Sequence, residues 1–207
     1  MALGEGRLKV VGIGGTLREG SASLGALGRA LAAAGEAGAD TEILDLRELN
    51  LPMYEPGLPL EEHGPGAERL VAALRGADAV IVSTAAYHGT LAGVTKNALD
   101  FAQFLSGGEH PYFDGKVVGL ISTAGGEQAG ANATGAMVHV VHALRGVVAP
   151  LVVSIPKAWQ RTDGSGAVTD ESYGRRLDSL GGLVVDLAGG LAARGGPAGT
   201  ELVGVAG

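Results

Sequence analysis

The chain reads as an α/β protein: a parallel sheet with helices on both faces, in three layers. Short apolar runs alternate strictly with helical patterns over 207 residues. The segments richest in glycine and hydroxyls directly follow the first, third and fourth apolar runs. Strand–helix alternation of this kind implies right-handed crossovers, and it places loops of one type together at the carboxyl edge of the sheet.

Each element follows from its local pattern. Arg7 to Gly14 is a buried strand, and Ser21 to Glu36 is a helix with Leu24, Leu27, Leu31 and Ala34 spaced by three and four. Asp40 to Leu46 is the second strand. Arg47 to Gly66 contains Pro52, Pro56, Pro59 and Pro65, so an excursion without regular structure is expected there. Ala67 to Arg75 is a helix, and Asp78 to Thr84 the third strand. A helix of about 12 residues then ends at Phe104, and a glycine-rich loop leads to the fourth strand, Lys116 to Ser122. Ala129 to Leu144 is a helix, Val147 to Ser154 the fifth strand, and Thr169 to Ala193 a closing helix. Five parallel strands suggest the flavodoxin-like order 2-1-3-4-5. In that arrangement ligands bind beyond the carboxyl ends, at the switch point between strands 1 and 3.

Composition narrows the chemistry. A single domain over residues 1–207 is expected, because this length can bury a core without disulfides or metals. With no cysteine, thiol redox chemistry, disulfides and iron–sulfur clusters are excluded, so any redox function needs a bound cofactor. A net charge of −7 argues against general nucleic-acid binding. No apolar stretch approaches the roughly 20 residues that span a bilayer, and the first residues, Met1 to Arg7, carry no signal-peptide pattern. A cytoplasmic setting is expected.

The segment from Gly12 to Ser23 joins a strand to a helix N-terminus, where free backbone N–H groups favour an anion. Arg18 adds a forked cation, and Thr16, Ser21 and Ser23 add hydroxyls, so the segment reads as a monophosphate site. A dinucleotide fingerprint fails on spacing, since Leu17 stands where its third glycine belongs. A Walker loop fails too, because Ser21-Ala22 replaces the required Lys-Ser/Thr. An ordinary turn with a solvated Arg18 is the plain alternative.

What remains, Gly15-Thr16-x-Arg18-x-x-Ser21-x-Ser23, resembles the phosphate loop of the NAD(P)H-dependent FMN reductase family, with Thr16 for serine and Ser23 for asparagine. Ser83 to Asp100, with Tyr87, Lys96, Asn97 and Asp100, resembles that family's flavin-loop signature, with Ala85 where proline is common. The resemblance extends to Ser122-Thr123-Ala124-Gly125-Gly126 and to Leu51-Pro52-Met53-Tyr54, and it covers about residues 7–155. It implies noncovalent FMN with its phosphate on Thr16, Arg18, Ser21 and Ser23. The ring and ribityl chain would lie along Ala85, Ala86, Tyr87, His88, Gly89 and Thr90, with Thr123, Ala124, Gly125 and Gly126 at the pyrimidine end.

Hydride would pass from NADPH or NADH to flavin N5 and on to free flavin, a quinone or another small acceptor, without a catalytic side chain. Two other functions stay open: an FMN-dependent dehydrogenase or reductase of one dedicated metabolite, and a flavodoxin-like electron carrier. A carrier would favour an aromatic sandwich, but the loop after the fourth strand offers no obvious second aromatic beside Tyr87. The implied partners are a second copy or a tetramer, with the helix from Ala92 to Phe104 as the interface, and a flavin-dependent monooxygenase.

Tyr87 reads either as a flavin contact or as a half-buried packing aromatic, and His88 as a substrate contact or a solvated loop histidine. His139 and His142 share a helix face but lack a third ligand, so packing is expected there and no metal site is assigned. Lys96 and Asp100 are spaced to pair with each other.

Overall fold

The computed structural model describes residues 7–194; residues 1–6 and 195–207, with the start of the chain read above for a leader, lie outside the described residues. The sheet runs β2 (Asp40–Asp45), β1 (Lys9–Gly14), β3 (Ala79–Tyr87), β5 (Val117–Thr123) and β6 (Val147–Ile155). These five pair in parallel, in the expected order. A sixth strand, β4 (Thr90–Leu91), pairs antiparallel with the end of β3 and lies off that path.

Alternation along the buried strands sends successive side chains to two cores. On one face Val10, Ile81, Ile121 and Val153 meet α1 (Ala22–Glu36) and α6 (Glu171–Ala193). On the other, Val11, Val80, Val82 and Leu120 meet α3 (Pro65–Arg75), α4 (Gly93–Asp100) and α5 (Ala129–Ala143). The carboxyl ends of β1, β3, β5 and β6 are thereby gathered along one edge.

Three expectations change. The third strand does not end at Thr84: it continues through Tyr87 and turns at His88-Gly89 into β4. His88 at φ 49 and Gly89 at φ 87 supply the two left-handed residues that a tight hairpin needs. The excursion after β2 contains regular turns, the short α2 (Leu46–Leu49) and a 3-10 turn, Leu60–His63. Asp45 accepts from Arg47 N and so caps α2.

The helix expected to reach Phe104 is α-helical only to Asp100 and continues as a 3-10 turn, Phe101–Leu105. Its apolar residues Ala98, Leu99, Phe101 and Ala102 are buried within this chain's own core, so that face is not free to form a subunit interface.

The excursion is pinned down. The side-chain amide of Asn97 donates to Pro52 O at 2.8 Å and its oxygen accepts from Tyr54 N at 2.9 Å. The buried ring of His63 accepts from Glu55 N at Nε2 and donates from Nδ1 to Pro59 O, an arrangement that requires the neutral imidazole. Tyr54, His63, Phe101 and Phe104 pack as one aromatic cluster.

Candidate cofactor-binding cleft

A cleft of ≈ 430 Å³ opens at the carboxyl edge of the sheet. It brings together residues distant in sequence: Thr16, Arg18, Ser21 and Ser23 after β1, Ala85, Ala86 and Tyr87 at the end of β3, and Thr123, Ala124 and Gly125 after β5. The position is the switch point where the chain order of the strands reverses. His88, Gly89 and Thr90 sit around the hairpin turn and, with Gly126, fall outside the lining.

The β1 end is built for an anion. Ser21 is the N-cap of α1, yet its side chain makes no capping bond; its hydroxyl pairs instead with Ser23 Oγ at 2.9 Å. The first-turn N–H groups therefore have no capping side chain. Thr16 Oγ1 accepts from Arg18 N at 3.2 Å, which curls the loop, and Ser83 Oγ donates to Ser23 O at 2.7 Å, which fixes the start of α1 on β3.

Among the described residues the Arg18 guanidinium makes no hydrogen bond or ion pair. Neighbouring carboxylates are engaged elsewhere. Glu19 accepts from Arg47 at 2.7 Å, and that bond holds its carboxyl below the usual range. Asp163 accepts from Ser165 N, Ser165 Oγ and Ala167 N of its own turn, which likewise lowers its carboxyl. Uncapped amides, three hydroxyls and a free guanidinium are the donor set of a phosphate monoester site, so the residues present fit the phosphate of FMN.

The β3 and β5 side is small and flat. Thr84 Oγ1 accepts from Ala92 N at 3.0 Å and bonds Thr95 Oγ1 at 2.9 Å, so the base of the hairpin is fixed to α4. Ala85, Ala86, Ala124 and Gly125 then leave room for a planar ring, beside a half-exposed Tyr87. That half exposure at the cleft is compatible with both readings of Tyr87, flavin contact and half-buried packing aromatic.

The sequence reading missed one wall. After β6, residues 158–164 arch back towards the β1 loop, and Ala158, Trp159, Thr162, Asp163 and Gly164 line the cleft. Ala158 N donates to Ala124 O at 2.9 Å, and Ala124 N to Ile155 O at 3.0 Å. At the far end the strap packs on the start of α1. A Cβ on Gly20, which has φ +63, would lie 2.7 Å from Gly164 O, and one on Gly25 would lie 2.0 Å from Gly166 O. Glycine pairs at 20/25 and 164/166 were the available signal, but a glycine-rich composition hides it.

Elsewhere, Lys96 and Asp100 pair as their spacing suggested. His139 and His142 are both exposed, so the expected packing role does not hold. Among the described residues no three histidine or acidic side chains converge as metal ligands.

Residues 8–160 match the NADPH-dependent FMN reductase family. The chain belongs to that family. It is 34% identical over 119 residues to the NAD(P)H-dependent FMN reductase PA1204 of Pseudomonas aeruginosa, a match covering 58% of this chain and 61% of that protein. It is also 34% identical over 96 residues to the NADPH azoreductase of a Bacillus species, covering 46% and 50%. Both matches thus span about half to three-fifths of the relative's length.

In structure it resembles FerB, a flavoenzyme NAD(P)H:(acceptor) oxidoreductase of Paracoccus denitrificans, with TM-score 0.67 at 22% identity over 88% of this chain and 98% of that one. That likeness supports the flavodoxin-like fold. Among the described residues no helix is long and apolar enough to cross a membrane.

Proposed function

We propose that this member of the FMN reductase family is an FMN-dependent NAD(P)H oxidoreductase of small acceptors. The overall reaction is NAD(P)H + H⁺ + acceptor giving NAD(P)⁺ and the two-electron-reduced acceptor. The observation that carries this reading is the uncapped N-terminus of α1 with an unengaged Arg18, set in the same cleft as the small, flat β3 and β5 ends.

In this assignment Thr16, Arg18, Ser21, Ser23 and the first-turn amides of α1 hold the phosphate. Ala85, Ala86 and Tyr87 line one side of the ring, and Thr123, Ala124 and Gly125 the other. FMN, when bound, supplies two-electron hydride chemistry, for which the protein needs no nucleophile. Ala124 N is committed to Ile155 O, so the Gly125 N–H would be the fixed backbone donor to negative charge at the pyrimidine end when FMN is bound. His88, Gly89 and Thr90 act by shaping the hairpin, and Gly126 by leaving its end of the cleft open. An azo compound, quinone or free flavin fits as acceptor, in keeping with the name of the Bacillus relative. The whole chain, 1–207, acts as one domain in the cytoplasm, where NAD(P)H is supplied.

The test is a visible spectrum of the purified protein reconstituted with FMN, followed by NADPH and NADH oxidation with and without menadione. Flavin bound in one-to-one ratio and acceptor-dependent oxidation are expected; a protein that neither retains FMN nor oxidises either nucleotide overturns the reading.

One observation favours a second reading. The loop after β5 carries no aromatic, but Trp159, after β6, adds an exposed one to the cleft, which suits a flavodoxin-like carrier. A carrier would bind FMN but oxidise NAD(P)H only in the presence of a separate reductase.

A further inference from the structure

Trp159 is the chain's only tryptophan and is 71% exposed, while Tyr87 is 52% exposed, and both line the cleft. A large apolar side chain left in water is informative when it stands in a concave site. β5 lies between β3 and β6 in the sheet, so Tyr87 and Trp159 stand on either side of the floor formed by Thr123 to Gly125.

The platform under Trp159 is fixed on all sides. Ala158 N donates to Ala124 O at 2.9 Å, Gln160 N to Lys157 O at 2.8 Å and Arg161 N to Ala158 O at 2.9 Å. Arg161 Nε donates to Pro156 O at 2.8 Å, and its Nη1 pairs with Asp170 at 2.9 Å. The backbone therefore presents the indole outward on a short, tied turn.

The charged side chains near Trp159 are paired with each other rather than aimed into the cleft. Lys157 pairs with Glu127 at 2.7 Å, and the Asp163 carboxylate faces its own turn. Arg18, whose guanidinium has no partner among the described residues, belongs to the β1 loop, the part of the cleft assigned above to the phosphate. A second substrate arriving beside Trp159 meets an aromatic face and no available cation, which suits a neutral planar ring and disfavours an inorganic anion.

We infer that Trp159 is the specificity-determining residue for the electron acceptor: it stacks on neutral planar aromatic acceptors of the quinone and azo class and selects them over inorganic anions. The inference rests on the FMN assignment above and adds to it the recognition of the acceptor. Trp159 is largely exposed, so its replacement leaves the cores intact.

The test compares FMN-loaded wild type with Trp159→Ala and Trp159→Phe. In the oxidised proteins, without nucleotide, equilibrium dialysis against menadione is expected to give a Kd about tenfold weaker for W159A and nearly unchanged for W159F. In turnover, kcat/KM for menadione falls to match in W159A, while that for ferricyanide stays within about twofold. An unchanged menadione Kd in W159A overturns the inference, as does an equal loss for both acceptors. A loss of FMN affinity in place of menadione affinity also overturns it, and makes Trp159 a wall for the flavin itself. A wild-type protein that binds no FMN overturns the proposed function and this inference with it; FMN binding with unchanged menadione affinity overturns the inference alone.

Discussion

Gly25→Ala tests whether the strap after β6 supports the β1 loop. Gly25 lies in the second turn of α1, and a Cβ there would stand 2.0 Å from Gly166 O, 2.6 Å from Gly166 C and 3.2 Å from Ala167 N. Ordinary contact begins near 3.4 Å, so the carbonyl must withdraw by about 1 Å or more. The turn resists. Asp163 N donates to Ala167 O, Gly166 N donates to Asp163 O, the Asp163 carboxylate takes three further bonds, and Thr162 bridges Val168.

Overpacking against such a turn costs about 1–3 kcal/mol, from which the better helix propensity of alanine subtracts up to about 1 kcal/mol. A net loss of about 1–2 kcal/mol lowers Tm by about 2–8 °C in a domain of this size. Gly28→Ala is the matched control, one turn further along α1, because its Cβ meets nothing within 4 Å. It gains the propensity term alone, about 0.5–1 kcal/mol.

Both variants are compared with wild type by calorimetry without FMN, and then by FMN titration. Gly164 O packs on Gly20, so moving the strap also disturbs the β1 loop. G25A is expected to bind FMN about tenfold more weakly, the equivalent of one charge-assisted hydrogen bond, with G28A unchanged. If G25A is as stable as G28A and binds FMN equally well, the strap does not buttress the loop.

Two more outcomes follow from particular residues. Arg18→Ala is expected to weaken FMN by about 10–100-fold while leaving riboflavin, which lacks the phosphate, unaffected in a flavin-fluorescence titration; equal losses for both flavins would place Arg18 elsewhere than on the phosphate. Arg29 on α1 donates twice to Asp178 on α6, at 2.8 Å for each bond, and this holds the Asp178 carboxyl below its usual range. A lowered carboxyl stabilises the folded state above the ordinary aspartate value, near pH ~3.9, and the contribution is lost as pH falls through the lower folded value. Thermal melts should therefore show Asp178→Asn less stable than wild type by about 1 kcal/mol or less at neutral pH, with the gap closing in strong acid.

Much of the architecture is legible in the sequence because it depends on local periodicity. Buried runs such as Val10 to Ile13 and Val117 to Ser122, and the leucine spacing of α1 and α6, each specify their element without help from distant residues. The alternation implies a parallel sheet, and of the doubly wound orders open to it the suggested 2-1-3-4-5 is the one observed. The β1 loop proposed to hold a phosphate is legible for the same reason: strand, glycine turn and helix N-terminus are contiguous.

Other features depend on contacts between segments far apart. Asn97 reads locally as one polar position on a short helix, but its amide has its partners at Pro52 and Tyr54. His63 reads as a loop histidine until Glu55 and Pro59 close around its ring. Tyr87 extends a strand because Thr90 pairs back on it, a choice that propensity alone does not make.

The sequence by itself determined the α/β class, the run of strands and helices, and a glycine- and hydroxyl-rich loop between β1 and α1, all encoded by neighbours along the chain. Only the tertiary structure decided that residues 158–164 return to the same cleft and that Trp159 lines it together with Tyr87. The physical reason is that β6 ends beside β5 in the sheet and glycines at 20, 25, 164 and 166 allow backbone to touch backbone, and neither relation leaves a periodic signal in the sequence.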